Sequence, residues 1–271
     1  MIPRSRGPAF PSIDLNCDMG EGADTDAELM PLMTSANIAC GGHAGDEGTM
    51  RRTVQLAVAH GVGIGAHPSY PDRAGFGRRA LRMTTTQVRQ EIEAQIRGLQ
   101  SVTAAVGTVL QHVKPHGALY NQAASNADLA AAIGEAIRQV DPSLIVVAFA
   151  GSPQVDILRQ MDLRVAEEAF IDRGYTPAGQ LVARENAAAL IADATLAAQR
   201  AVRLVRDHSL TAVDGTDLAV HADTLCIHSD TPGSVALAHA VRAAFAEAGI
   251  TVSPLAQVVA KPDARSPRPG S

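Results

Sequence analysis

Short apolar runs alternate with longer stretches of helical periodicity along most of this chain. Eight runs are strand-like: 13–17, 36–40, 62–66, 109–113, 144–148, 163–166, 224–227 and 250–252. Five stretches carry a helical pattern: 49–60, 85–106, 127–140, 186–208 and 234–248. Strands that alternate with helices predict a parallel sheet with helical crossovers. The pattern therefore predicts an α/β fold, a TIM-like (β/α) barrel of seven or eight units, and this prediction includes an incomplete or distorted barrel. A doubly wound open sheet is the alternative.

Length and composition agree with one large core. A chain of 271 residues exceeds the usual domain size, but (β/α) barrels reach this length as one domain. Hydrophobic residues make up 46% of the chain and aromatic residues only 3%, so the core must be built from Ala, Val, Leu and Ile. We expect one barrel domain over residues 12–260 between two flexible tails, 1–11 and 261–271.

Several classes of protein are disfavoured by the sequence. The net charge is −5 and the arginines are dispersed, so no basic stripe for nucleic acid is expected. No apolar run approaches the roughly 20 residues that span a bilayer, and the N-terminus lacks the apolar region of a signal peptide. We therefore expect a cytoplasmic protein without a membrane partner. The three cysteines lack zinc-site spacing and are expected to be reduced thiols.

Polar side chains follow almost every predicted strand. In chain order they are Asn16, Asp18 and Glu21; His43 and Asp46; His67 and Asp72; Lys114 and His116; Glu168, Asp172 and Arg173; and His228 and Asp230. Barrel enzymes carry their catalytic residues at the C-terminal ends of the strands, so these side chains should meet at one mouth. His60, His208, His221 and His239 fall on predicted helices or outer loops and are interpreted as ordinary surface or packing residues.

Two strands predict how their polar side chains are oriented. Alternation along an extended segment places His112, Lys114 and His116 on one face, which suits the binding of anions or the transfer of protons. The same alternation puts Asp14 and Asp18 on one face of the first strand, with Asn16 between them. Buried charges of this kind need partners or a ligand.

Loops after the second and third strands also carry candidate chemistry. Gly41 and Gly42 would let the backbone approach a ligand, with His43 projecting beyond them, while Asp46 is expected to cap the next helix. The long loop after His67 is a candidate lid. The full sequence contains no GxxxxGK[ST] phosphate loop, no GxSxG nucleophile turn and no HExxH zinc motif.

Six segments together resemble the LamB/YcsF family, which comprises the A subunits of bacterial 5-oxoprolinases. They are DLNCDMGEG, SANIACGGHAGD, GAHPSYPDRAGFGRR, HVKPHGALYN, EAFIDRGY and CIHSDTP, spread from Asp14 to about Thr231. The resemblance implies a barrel of the glycoside hydrolase/deacetylase type and ATP-dependent cleavage of 5-oxoproline to L-glutamate with partner subunits B and C. Ser229 departs from the pattern, since the family more often has glycine there.

Opening a lactam through a phosphorylated amide needs cations, a base for water and an acid for the leaving nitrogen. The hypothesis gives catalytic roles to Lys114, as the anion-stabilising cation, to Asp18 and Glu168, as base or acid, and to His43 and His116, in proton transfer. Substrate-binding roles are assigned to Asn16, His67, Asp72, Arg78, Arg173 and His228. The expected cofactor is ATP, with Mg²⁺ accompanying it.

Two alternatives stay open at this point. One is a metal-dependent deacetylase, in which Asp18, His67 and His116 would hold a divalent metal as related folds do. The other is a non-catalytic component of the complex that shelters a phosphorylated lactam made by its partners.

Overall fold

Seven parallel strands close into a barrel. The computed structural model describes residues 11–259. The barrel strands are β1 (Ser12–Met19), β2 (Ser35–Ala39), β3 (Gly63–His67), β4 (His112–Val113), β5 (Ile145–Phe149), β6 (Arg164–Phe170) and, after a hairpin of β7 (Ser209–Thr211) and β8 (Asp217–Ala219), β9 (Thr224–Cys226). Neighbours pair in the order β1-β2-β3-β4-β5-β6-β9, and β9 returns to β1. The barrel prediction is confirmed with seven strands, and the open-sheet alternative is wrong because the sheet closes.

The eighth predicted strand does not enter the barrel wall. It forms β10 (Thr251–Val252), which pairs with Ser12 and Ile13 at the start of β1. From Asp14 onward β1 pairs with β9 instead. Residues 250–252 therefore extend the sheet below the closed part of the barrel.

Helices connect the strands and cover the barrel. They are α1 (Asp26–Leu29), α2 (Glu47–His60), α3 (Thr85–Val106), α4 (Gly117–Ala123), α5 (Ala127–Val140), α6 (Pro153–Gln160), α7 (Ala194–Asp207), α8 (Ser234–Ala248) and α9 (Leu255–Val259). The Thr84 and Gln87 capping box begins α3, and left-handed Gly107 ends it. Asp46 caps α2 by accepting from the Thr49 N–H at 2.7 Å, so that prediction is confirmed.

Several boundaries differ from the prediction. The pattern over 186–208 starts too early, because α7 begins at Ala194, where Asp193 caps the first turn, and residues 187–189 form a separate 3₁₀ turn. The strand predicted over 109–113 is regular only at His112 and Val113, and Val109 is exposed. Helices α4 and α6 and the β7–β8 hairpin were not predicted, because short elements carry too few periods to register.

The two faces of β1 explain why the barrel has a polar interior. Ile13, Leu15 and Cys17 point outward and belong to the apolar core shared with the helices. Asp14 points inward, where it accepts hydrogen bonds from the hydroxyls of Ser35 and Thr224 at 2.7 and 2.6 Å. The alternation predicted for β1 therefore places its polar residues inside the barrel, and hydrogen bonds satisfy them there.

Within residues 11–259, no helix is long and apolar enough to cross a membrane. Cys17, Cys40 and Cys226 are free and buried, as expected for reduced thiols. Apart from Pro11, the two predicted tails lie outside the described residues.

Candidate active site

A cavity of about 1080 Å³ opens at the C-terminal ends of the barrel strands. Its base includes Asp18, Glu21, His67, Lys114 and His116, and its walls come from loops that follow β5, β6 and β9 and from the β7–β8 hairpin. The polar strand ends predicted from the sequence therefore meet at one mouth.

Lys114 lies at the base of this cavity between two carboxylates. Its Nζ is 2.9 Å from both Asp18 Oδ1 and Glu168 Oε1, and 3.3 Å from Asn16 Oδ1. Burial alone would lower the pKa of Lys114, but the surrounding negative groups, Asp18 foremost, hold it well above its ordinary value. Burial likewise opposes ionisation of Asp18, yet His67 and Lys114 keep its pKa well below the ordinary range. Both groups of this pair are therefore charged at neutral pH.

Neutral side chains deeper in the barrel support the charged pair of Lys114 and Asp18. Asn37 Nδ2 donates to Asn16 Oδ1 at 2.7 Å and to Asp18 Oδ1 at 2.9 Å, and its own Oδ1 lies 2.8 Å from His112 Nε2. Burial and the Lys114 charge lower the pKa of His112 to about 3, so this ring is neutral. A Cβ on Gly65 would lie 2.1 Å from His112 Nε2, so only glycine leaves room for the ring. His112 thus shares the inward face with Lys114 but serves as support.

Four side chains form what we call the histidine cluster: Glu21, His43, His67 and His116. His116 Nδ1 is 2.9 Å from His67 Nε2, and His43 Nε2 is 2.7 Å from Glu21 Oε1. The rings of His43 and His116 stack with centroids 3.7 Å apart. Burial, followed by neighbouring histidines, lowers the pKa of His116 well below its ordinary value, so its ring is neutral. Each residue ends or follows a different strand, so closure of the barrel creates the cluster.

Asp172 and His228 form a second group of hydrogen-bonded polar side chains. Both carboxylate oxygens of Asp172 lie 3.0 to 3.1 Å from His228 Nδ1, and the carboxylate also accepts from the His228 N–H and from the Thr231 hydroxyl. Burial alone would raise the pKa of Asp172, but the His228 contacts hold it below the ordinary value. The His228 ring stacks on Phe170 and lines the cavity. This geometry fixes the ring and leaves its Nε2 as the nitrogen that is free of Asp172.

An aromatic wall gathers half of the few aromatic residues of the chain. Tyr120, Phe149 and Phe170 line the cavity and contact one another, and Tyr175 stacks on Phe149. The Tyr120 hydroxyl and Glu168 Oε2 are buried without a hydrogen-bond partner among the described residues. Burial and the Glu168 charge raise the pKa of Tyr120 well above its ordinary value, so its hydroxyl keeps its proton.

Three arginines bring positive charge to the rim of the cavity. Asp230 Oδ2 lies 2.6 Å from Arg78 Nη2 and 3.3 Å from Arg184 Nη1, so one carboxylate joins three loops. Arg173 is buried, and it donates from Nε to the Ala189 carbonyl and from Nη2 to the Val182 carbonyl. Within residues 11–259 the Arg173 guanidinium has no salt bridge, so its charge is available to the cavity.

Some predicted site residues are placed differently. Asp72 does not line the cavity; its buried carboxylate needs a partner and takes Arg79, while Oδ1 also accepts from the Gly75 N–H. This position does not support a substrate contact for Asp72. Gly42, which was expected to let the backbone approach a ligand, packs closely against Ser69. A Cβ at this position would lie 2.5 Å from Ser69 Oγ, so glycine is needed here for packing.

Other predicted residues lie at or just below the cavity. Seven of them line the cavity: Asp18, His67, Arg78, Lys114, His116, Arg173 and His228. The other three, Asn16, His43 and Glu168, are not among the lining residues and lie behind them. For the metal set predicted from related folds, Asp18 Oδ1 bonds to Lys114 and Asn37, while Asp18 Oδ2 lies 3.3 Å from His67 Nε2. The group of mutually close ligand atoms that contains His67 and His116 also contains Glu21 and His43.

The prediction placed Asp172 at the mouth without assigning it a role, and it did not single out Asn37 or Tyr120. Asn37 was detectable as a polar residue on the inward face of an apolar strand. Ser229 fits its loop without strain, because it is not among the described non-glycine residues with positive φ.

Comparison with known proteins agrees with the resemblance. The LamB/YcsF family matches residues 13–260. The 5-oxoprolinase A subunit of Heliobacterium modesticaldum is 48% identical over 245 residues, which cover 89% of this chain and 96% of that protein. The crystal structure of a lactam utilization protein from Thermus thermophilus is 42% identical, covers 90% of this chain and 99% of that one, and has a TM-score of 0.84.

A more distant solved structure shows the fold alone. The T48 deacetylase is 15% identical, covers 93% of this chain and 92% of its own, and has a TM-score of 0.50. The expected barrel of the deacetylase type is confirmed by this likeness. With the family match spanning almost all the described residues, this chain belongs to the LamB/YcsF family.

Proposed function

We propose that this chain is the A subunit of an ATP-dependent 5-oxoprolinase. With subunits B and C it would convert 5-oxoproline, ATP and two waters to L-glutamate, ADP and phosphate in the cytoplasm. The observation that carries the proposal is the 48% identity, over almost the whole of both chains, to a relative named as a 5-oxoprolinase A subunit. The polar cavity at the barrel mouth provides groups suited to this reaction.

Arg173 is the group best suited to the substrate carboxylate. It is a buried cation on the cavity wall, and no carboxylate of the described residues neutralises it. A guanidinium binds a carboxylate strongly where water is excluded. Its bonds to the Ala189 and Val182 carbonyls hold the guanidinium in place. Binding the carboxylate there would orient the lactam ring within the cavity.

His228 is the group best suited to activate the attacking water. Asp172 accepts from Nδ1–H and so fixes that tautomer, which leaves Nε2 as the nitrogen that can take a proton. The ring lies on the cavity surface, where a water bound beside the lactam carbonyl would be within reach. We assign His228 as general base and Asp172 as the residue that positions it.

Lys114 and Asp18 form a charged floor beneath the substrate. The Lys114 ammonium has three N–H donors, and they are shared among Asp18, Glu168, Asn16 and the Cys226 sulfur. Lys114 therefore supports the site chiefly by holding these acceptors and supplying fixed positive charge. Asp18 stays ionised and suits the role of an acceptor for the lactam N–H or of a base, whereas its low pKa makes it a poor acid.

The test is reconstitution of the three-subunit complex with 5-oxoproline and ATP. Glutamate and ADP are measured with each component omitted in turn. We expect both products to depend on this chain and to form in equal amounts. Undiminished glutamate formation without this chain would refute the proposal.

The role as a sheltering component makes a different prediction in the same assay. A cavity that only protects a phosphorylated lactam would leave glutamate formation nearly intact in a His228→Gln variant, because no group of this chain would take part in proton transfer. Our proposal expects a severe loss. A deacetylase activity is not proposed, since the 15% identity to the T48 deacetylase shows the fold alone.

A further inference from the structure

We propose that Glu21, His43, His67 and His116 bind one divalent transition-metal ion of the zinc class. The inference does not depend on the proposed lactam chemistry, because it is argued from the geometry of these four side chains alone. Their ligand atoms all lie within 4.8 Å of one another.

Backbone carbonyls determine which ring nitrogens carry hydrogen. His67 Nδ1 lies 2.7 Å from the Lys114 carbonyl, and His116 Nε2 lies 2.9 Å from the Phe76 carbonyl. A carbonyl oxygen only accepts, so each of these nitrogens must donate. In the neutral rings the opposite nitrogens, His67 Nε2 and His116 Nδ1, are then bare.

These two bare nitrogens face each other. They are 2.9 Å apart, and Glu21 Oε1 lies 3.7 Å from His67 Nε2 and 3.4 Å from His116 Nδ1. Three lone-pair donors directed at one small volume repel one another unless a positive charge lies between them. Two ligands about 2.1 Å from one ion are separated by roughly 3.0 to 3.4 Å, which resembles the spacing found here.

His43 adds the fourth ligand atom. Its Nε2 is 2.7 Å from Glu21 Oε1, and its Nδ1 is buried without a partner among the described residues. Its ring is stacked almost parallel on His116, with an interplanar angle of 5°. Two positive rings stacked in this way would repel, so additional protons on both are a poor solution. Neutral imidazoles bound to a metal avoid that repulsion.

The donor set selects the kind of ion. Three imidazoles and one carboxylate suit zinc and similar first-row ions, whereas Mg²⁺ prefers oxygen ligands and water. The carbonyls of Lys114 and Phe76 would orient two of the ligands from behind, as is usual at histidine sites. Because Glu21, His67 and His116 also line the cavity, an ion here would border it. Bound zinc supplies Lewis acidity and acidifies a coordinated water.

The competing explanation is a single proton on His67. A protonated His67 would donate from Nε2 to His116 or to Asp18, whose Oδ2 is 3.3 Å away. His43 would then donate from Nε2 to Glu21, and its buried Nδ1 has no partner among the described residues in either arrangement. This explanation requires no metal, and a binding experiment separates the two.

The experiment uses the full chain after treatment with a chelator. Zn²⁺ binding is measured by calorimetry, and Co²⁺ binding by visible absorption, which reports nitrogen ligation. We expect one ion per chain and at least tenfold weaker binding in His43→Gln and His116→Gln. His239→Gln makes the same substitution at an exposed histidine of α8 and should bind like the wild type. Cys226→Ser should also bind like the wild type, which excludes the neighbouring group of Asp18, Cys226 and His228.

A measurement on the unaltered chain keeps the proposal testable if the variants fold poorly. Nitrogen-15 spectra of the metal-free protein should show hydrogen on Nδ1 of His67 and on Nε2 of His116, and Zn²⁺ should shift the signals of His67 Nε2 and His116 Nδ1. Spectra that Zn²⁺ leaves unchanged would overturn the proposal. So would Zn²⁺ binding that is equal in His43→Gln, His116→Gln and His239→Gln, or that depends on Cys226. These outcomes are independent of whether the complex cleaves 5-oxoproline.

Discussion

The carboxylate of Asp172 holds His228 through three hydrogen-bonding contacts, two from its oxygens to Nδ1 at 3.0 and 3.1 Å and one from the His228 N–H at 2.9 Å. The two residues come from loops that follow β6 and β9, which are neighbours only because the β7–β8 hairpin and α7 are placed outside the barrel. A fixed ring beside a cavity is what a general base requires.

We expect His228→Gln to lower kcat of the reconstituted complex by roughly 10²- to 10⁴-fold, the usual contribution of a positioned base. Asp172→Asn should lose a similar factor, because an amide no longer fixes the Nδ1–H tautomer. Glutamate and ADP formation at saturating substrate would measure both. The matched control is His221→Gln, at an exposed histidine beyond β8, which should keep wild-type activity. More than a tenth of wild-type activity in His228→Gln would exclude it as the base.

Lys114→Met should abolish ADP-coupled glutamate formation and destabilise the protein by about 3–5 kcal/mol, the usual cost of leaving a buried charge without its partner. Asp18 and Glu168 would both lose their cation. Chemical denaturation would measure the free energy of unfolding. In the control, Arg203→Met breaks an exposed pair with Asp217 and should cost less than about 1 kcal/mol.

A double variant makes the Lys114 prediction sharper. Lys114→Met combined with Asp18→Asn removes one of the uncompensated carboxylates and should unfold at higher denaturant concentration than Lys114→Met alone. If the double variant were less stable than the single one, the assignment of the ion pair as the source of the loss would be wrong.

The raised pKa of buried Asp14 should make the protein less stable as pH rises. Burial raises its folded pKa from 3.8 to about 6, against the hydrogen bonds from Thr224, Ser35 and Thr34. The folded state therefore holds the proton more tightly than the unfolded state does. Its contribution is fully present below about pH 4 and is lost as pH rises through about 6, by roughly 3 kcal/mol in total.

Asp14→Asn lacks this titration. The free energy of unfolding of the wild type, relative to that of the variant, should therefore fall between pH 4 and pH 7. Contributions from the other carboxylates are the same in both proteins and cancel. Urea denaturation at a series of pH values would measure the difference. A difference that stays constant over this range would show that the pKa of Asp14 is not raised.

Arg173→Gln should raise KM for 5-oxoproline by roughly 10- to 100-fold, because a hydrogen bond to a charged group contributes about 1.5–3 kcal/mol. The comparison ligand is 2-pyrrolidinone, the same lactam without the carboxylate, used as a competitive inhibitor. Its inhibition constant should be nearly unchanged by the substitution.

Arg200→Gln controls for loss of loop support. Arg200 donates to the Thr211 and Arg173 carbonyls but does not line the cavity. It should leave the preference for 5-oxoproline over 2-pyrrolidinone intact. An equal loss for both lactams in Arg173→Gln would mean that Arg173 acts only through the loop.

Local pattern was sufficient for much of the fold. The alternation in β1 predicted that Asp14, Asn16 and Asp18 share a face, and the α3 boundaries follow from a capping box and a terminal glycine. These features depend on neighbours within a few residues, so the sequence alone contains them. The order of apolar and helical stretches likewise determined the class of fold.

Tertiary structure alone decided which polar groups at the mouth are bonded to one another. Lys114 contacts Asp18 across 96 positions of sequence, and His228 contacts Asp172 across 56, so no local pattern could assign these partners. Asp72 shows the opposite outcome. Its carboxylate follows a strand, as the sequence indicates, but it binds Arg79 and does not line the cavity. The tautomers of His67 and His116 depend on carbonyls that closure of the barrel brings to them. The sequence thus determined which residues line up at the mouth, and long-range pairing in a buried, weakly screened space decided their charges and roles.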